Sequence, residues 1–174
     1  MRAEEFVRVV AEAMPSKATL QEHGLSEDEI EGIQATFTVE RRASTETAAE
    51  ATESEVLRLA RLFDCSRLEI GLVRFQKAVS VHAAGLRFAC LEADALVLAS
   101  DGEITAYGVG TDVGRPCAAT GGHLLDALAE FVRIRRNRSA WKGRVRESAE
   151  TCASAAGGPR FVDCYRQLCA FLEA

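Results

Sequence analysis

Four groupings in this sequence carry residue types that do chemistry. The first is Gly108-Val109-Gly110-Thr111-Asp112-Val113-Gly114, whose spaced glycines are those of a phosphate-cradling loop in outline. A dinucleotide loop needs a strand, then G-x-G-x-x-G, then a helix at once, so that backbone amides point at the anion. Here the third glycine comes one residue late, and Arg115-Pro116-Cys117 intervenes before any helix. No G-K-[S/T] occurs either. The segment 108–116 therefore predicts a connecting loop rather than a phosphate site.

The second grouping is Cys117 and His123, a thiol and an imidazole six residues apart. A nucleophilic cysteine needs a neighbour that lowers its pKa and a third group that orients the base. No third member is recognisable. His123 falls in the first turn of a predicted helix, where the dipole disfavours its cation. A core cysteine and an exposed histidine are the expectation. The third grouping is acidic: Glu92, Asp94, Asp101, Glu103 and Asp112. Paired carboxylates hold divalent cations or divide acid and base roles. Alternate strand positions share a face, however, so Glu92 and Asp94 can lie together without catalytic meaning. No EF-hand pattern is present. These five are read as structural or solvated acids, with partner contact as the functional candidate, and no catalytic, cofactor or metal ligand is assigned.

The fourth grouping is basic. Residues 133–146 carry seven Arg or Lys, no acid, and Trp141. Cations with an aromatic ring suit single-stranded nucleic acid. The whole chain of 174 residues nevertheless has a net charge of −5, which opposes long-range attraction of nucleic acid. The charge is uneven: −8 over residues 1–55, −2 over 56–132 and +5 over 133–174. The basic segment is read as a helix C-terminus, where cations are favoured, continuing into a solvated loop that pairs with the acidic N-terminal part.

The elements that must position these groups follow from periodicity. Phe6, Val9, Val10 and Ala13 mark a first helix, ended by Pro15. Ser26 and Glu29 form a capping box for a helix carrying Ile30, Ile33 and Phe37. Residues 40–55 are polar and are read as an exposed linker or a helix extension. Val56, Leu59, Ala60 and Phe63 share the face of a further helix. Strands are expected at 68–75, 86–91, 95–99 and 104–107, with a short one at Cys117-Ala118-Ala119. Asp101-Gly102 predicts a type I′ hairpin turn within 95–107, because both central positions of that turn take positive φ. Thr120 caps a helix whose Leu124, Leu125, Leu128, Phe131 and Val132 form a wide apolar stripe. Ala153 to Pro159 reads as a loop. A closing helix carries Phe161, Tyr165, Leu168, Cys169 and Leu172.

Six cysteines (65, 90, 117, 152, 164 and 169) lack the C-x-x-C spacing of a structural zinc site. No signal peptide follows Met1 and no apolar run reaches membrane-span length. The expectation is a cytoplasmic chain with reduced thiols and no membrane partner. The length suits one α+β domain over 1–174. Its sheet core and following helix lie at 66–134, and a basic loop and C-terminal helix at 133–174.

The run Ala93-Asp94-Ala95-Leu96-Val97-Leu98-Ala99-Ser100-Asp101-Gly102-Glu103-Ile104, followed by a glycine-bearing loop, Cys117-Ala118-Ala119-Thr120 and Leu124-Leu125-Asp126-Ala127-Leu128, resembles the SUKH superfamily. Its members show an acid before an apolar strand, a D-G turn, and a short strand ending in alanine before a helix of this type. The resemblance covers about residues 66–134. The family's N-terminal "LP-x-x-Y" segment has no match here; Met14-Pro15 and Phe37 are poor substitutes. The resemblance implies an α+β fold with a mainly antiparallel sheet of about four to six strands, flanked by N- and C-terminal helices. It also implies a non-enzymatic, protein-binding role in bacteria. Many members are immunity proteins that neutralise a cognate toxin, often a nuclease or deaminase; others are regulatory scaffolds. Two alternatives stand beside it: a small-ligand-binding or regulatory module using the 108–114 loop, and an enzyme of unrecognised type.

Overall fold

The structure is a computed structural model that describes residues 1–43 and 53–170. Helices come first: α1 (Ala3–Ala13), α2 (Lys17–Glu22) and α3 (Glu27–Ala35). Pro15 follows the end of α1, as proline geometry requires. At α3, Ser26 accepts from the Glu29 amide while the Glu29 side chain accepts from the Ser26 amide, closing the predicted capping box. A short strand β1 (Glu40–Arg41) pairs antiparallel with β2 (Phe63–Asp64), and α4 (Glu55–Leu62) lies between them in sequence. Two expectations change here. Residues 40–41 are strand rather than linker, and 44–52 lie outside the described residues. Phe63 is buried as predicted, but from a strand: α4 ends at Leu62.

Six strands then form one antiparallel meander in the order of the chain: β3 (Glu69–Ile70), β4 (Val73–His82), β5 (Gly85–Leu91), β6 (Asp94–Leu98), β7 (Ile104–Tyr107) and β8 (Gly114–Ala118). The predicted α+β class with a mainly antiparallel sheet is therefore the observed one. The single strand expected at 68–75 is two, turning at Gly71-Leu72. The strand at 95–99 and that at 104–107 pair as a hairpin, but the turn differs from the type I′ prediction. Gly102 takes φ +90 and Asp101 does not have positive φ. The Gly102 amide donates to Ala99 O (3.0 Å), and the Ala99 amide donates to Glu103 O (2.9 Å). This is a turn with one left-handed residue at its end, the longer hairpin solution. Asp101 Oδ1 accepts from the Glu103 amide (3.0 Å), which holds that extra residue in place.

Strand β8 starts earlier than expected, at Gly114, and includes Pro116. It is an edge strand, and only an edge tolerates the missing proline donor. Residues Arg87, Val97, Thr105 and Pro116 share one face by register, and Leu96, Leu98, Ile104 and Ala106 point to the helices on the other. Register shifts between Phe75 and Ser80, and between Arg87 and Ala89, bend the β4–β5 ribbon. The bend carries its tip across the sheet, and the His82 and Tyr107 rings lie 5.2 Å apart.

Helix α5 (Gly121–Arg136) is the central support. Thr120 caps it by accepting from the His123 amide. Leu124, Leu125, Leu128, Phe131 and Val132 are all buried, against α1, α4 and α7 and against β3 and β8. Beyond it come α6 (Arg138–Trp141), α7 (Val145–Ala155), a 3-10 turn (Pro159–Phe161) and α8 (Val162–Ala170). Helix α7 has no periodic signal in the sequence, and it extends into the loop expected at 153–159. Its buried face is Ser148, Ala149, Cys152 and Ala153, too small and too polar to read as an apolar stripe. Leu172 lies outside the described residues.

Helix α8 packs on α7 and β8. Tyr165 is 1% exposed and its hydroxyl donates to Cys117 O (3.0 Å). Tyr165→Phe leaves that buried carbonyl without its partner, and a loss of about 1–3 kcal/mol in a denaturant titration is the expected outcome.

Candidate functional site

The five acids singled out from the sequence do not form one cluster. The antiparallel meander puts the β5–β6 turn and the β7–β8 loop at one end of the sheet, and the β6–β7 turn at the other. Glu92, Asp94 and Asp112 are therefore separated from Asp101 and Glu103 by the length of β6. Glu92 does not sit on a strand beside Asp94. It occupies the turn with φ +57, and its amide donates to Leu72 O (2.7 Å).

Most of these carboxylates already have partners within the chain. Glu92 accepts from the Gln167 amide (2.8 Å) on α8. Asp94 pairs with Arg115 (3.0 Å), linking β6 to β8. Glu103 pairs with Arg160, tying the far turn to the segment before α8. Asp101 serves its own turn. Asp112 is exposed at the tip of the β7–β8 loop. Each pair is partly solvated, so each adds little to stability, in the range of about 0–1 kcal/mol. Their role is to fix the loops at the sheet ends.

The loop 108–113 carries Asp112 and the glycines of the incomplete phosphate motif. It joins two strands and opens no helix, so it offers no row of helix-start amides. What it does present is apolar surface: Val109 is 86% exposed and Val113 is 81% exposed, one on each side of Asp112. The Val113 amide donates to Thr111 Oγ1 (2.9 Å), which turns the tip. The position of a Cβ on Gly108 lies 3.6 Å from Asp94 Oδ1, so the loop adjoins the Asp94–Arg115 pair. Alternation of valine with glycine and aspartate was the available signal. In a sequence it indicates only a loop, because exposure depends on the tertiary surroundings.

Cys117 and His123 are apart in role. Cys117 is fully buried on β8, with the sulfur of Cys164 against its own. His123 is exposed, with Nδ1 3.0 Å from Thr120 Oγ1. The contact with Cys117 and then burial push the Cys164 thiol up. Burial, with Asp64 nearby, pushes Cys65 up to about 12. Neither is a thiolate at neutral pH, and only the thiolate attacks. Among the described residues, no three His, Cys, Asp or Glu side chains converge as metal ligands. No helix of the described residues is long and apolar enough to cross a membrane.

The basic segment 133–146 begins as the C-terminus of α5, as expected, but continues into the short helix α6 and the start of α7 rather than a solvated loop. Among the described residues its ion pairs are local and not with the acidic N-terminal part: Arg133 with Glu130, Arg144 with Glu147, and Arg146 with Glu150. Arg144 also lies over the Trp141 ring, 5.1 Å from its centre. That contact occupies the aromatic face which base stacking would use.

Comparison with known proteins finds no match to a family model, to a curated protein or to a solved structure.

Proposed function

We propose that this chain is a non-enzymatic protein-binding domain of SUKH type, an immunity protein that neutralises a cognate bacterial toxin of nuclease or deaminase class in the bacterial cytoplasm. The observation that carries the reading is the loop between β7 and β8. Two valines stand almost fully exposed on either side of Asp112, on a loop that adjoins the Asp94–Arg115 pair. Exposed apolar side chains suit the core of a protein contact, and the acids beside them suit its rim. Toxin domains that act on nucleic acid carry basic surfaces, and the acidic charge of this chain favours approach to them. The segments that resemble SUKH proteins run through β6, the Asp101-Gly102 turn, β7, β8 and α5, a continuous part of the fold.

The test is binding to the toxin domain encoded beside this chain's gene. The expected result is a one-to-one complex and loss of toxin activity. Val109→Asp with Val113→Asp is expected to weaken binding by roughly 30-fold, as removal of a central apolar anchor does at about 2 kcal/mol. The melting temperature should be unchanged, since both side chains face solvent. Asp112→Lys is expected to slow association and to reduce its dependence on salt. Absence of a toxin gene nearby, together with no binding in a pull-down, rejects the reading.

A further inference from the structure

A groove of about 600 Å³ opens on the side of the molecule formed by the end of α1, α2, α3, β3 and the second half of α5. Its walls are apolar: Val10, Leu20, Ile33, Phe37, Phe131 and Val132 lead the lining. Met14, at the end of α1, is 44% exposed beside it. A second groove of about 410 Å³ adjoins, sharing Ile33, Glu69 and Arg135. The size falls within the range of small-molecule sites, which are mostly apolar with a few placed polar groups.

The polar groups here are unequal in charge. Arg135 and Arg136, from the last turn of α5, stand at the rim with Glu69. Glu69 is already paired with Arg74 (3.1 Å). Among the described residues, neither Arg135 nor Arg136 has a carboxylate within ion-pair distance, whereas Arg133 on the same turn is paired with Glu130. Two cations without a counter-charge thus face an apolar trough. We propose that this groove binds an amphiphile with one apolar chain and one anionic headgroup, such as a medium-chain carboxylate, the chain lying along Val10, Leu20, Ile33 and Phe37 and the carboxylate meeting Arg135 and Arg136. Arginine is suited to such a headgroup because its planar fork donates two parallel hydrogen bonds to a carboxylate. The 108–114 loop takes no part in either groove.

The experiment uses the full chain and a series of octanoate, decanoate and dodecanoate below their micelle concentrations, followed by calorimetry and thermal shift. The expected result is saturable one-to-one binding that tightens by about two- to fourfold for each added methylene. Dodecyltrimethylammonium, with the opposite headgroup charge, should bind at least tenfold more weakly than dodecanoate. Arg135→Gln with Arg136→Gln, both at exposed positions, should erase most of that difference while leaving the chain-length dependence. Ala13→Trp should fill the trough and abolish binding. If that variant does not fold, the arginine pair decides alone. Absence of saturable binding, affinity independent of chain length, or an unchanged headgroup preference in the arginine variant each overturns the proposal. None of these readouts involves a toxin, so the two readings fail separately.

Discussion

Leu128→Asp is expected to abolish cooperative folding. Leu128 is 1% exposed on α5, among Leu124, Leu125, Phe131 and Val132, which are buried with it. Removing the leucine side chain alone costs about 2–5 kcal/mol, through lost transfer energy and the cavity left behind. Placing a carboxylate there without a partner adds several kcal/mol more, whether it stays ionised or is protonated to survive burial. The sum is comparable with the roughly 5–15 kcal/mol total stability of a domain. Helix α5 also touches elements on both sides of it, namely α1, α4, α7, β3 and β8. Its loss cannot be contained locally. Circular dichroism should show no sigmoidal melt for this variant, while Leu128→Ala should melt cooperatively at a lower temperature. An unchanged melting temperature for Leu128→Asp would refute the docking of α5.

Gly85→Ala is expected to be far more harmful than Gly102→Ala, although both glycines have positive φ in hairpins. Gly85 has φ +147, and a Cβ there would lie 2.1 Å from Leu98 O, a backbone atom that cannot rotate away. The cause is the β5–β6 pairing: Leu86 lies opposite Leu98, so at its positive φ Gly85 turns the Cβ position toward the neighbouring strand's carbonyl. Backbone strain of about 1–3 kcal/mol combines with overpacking of about 1–3 kcal/mol. The expected loss is about 3 kcal/mol or more, a fall in melting temperature of roughly 6–12 °C for a chain of this size. Gly102 has φ +90, and nothing lies within 4 Å of a Cβ there. Its substitution meets only the conformational penalty, about 1 kcal/mol. Denaturant titrations of the two variants compare them directly. Equal losses would mean that Gly85 does not lie against the Leu98 carbonyl.

The sequence was most legible where a local rule and a tertiary need coincide. Ser26 with Glu29 and Thr120 ahead of Leu124 are chemical signals complete within a few residues, and both caps form. The apolar spacing on α5 states which face is buried without stating what buries it. The D-G dipeptide located a hairpin, but the turn type was decided by how many residues the two strands leave over, with Leu98 opposite Ile104. Periodicity failed at α7, where the buried face is built of Ser148, Ala149, Cys152 and Ala153. Small residues bury well only because α5 and α8 approach closely, and that approach is a tertiary fact.

The candidate site divides in the same way. The acids could be named from the sequence, but their grouping could not, because neighbours along a meander alternate between opposite ends of the sheet. Glu92 and Asp112 belong to one end, Asp101 and Glu103 to the other, and chain distance does not reveal it. Residue types and spacing by themselves determined the α+β class, the caps, the central helix and the absence of a recognisable catalytic motif. Only the tertiary structure decided that Val109 and Val113 stand in solvent, and that Arg135 and Arg136 meet an apolar groove. The reason is physical: exposure and counter-charge depend on which atoms surround a side chain. Those atoms come from elements far apart in sequence, such as α1, α3 and β3 around the end of α5.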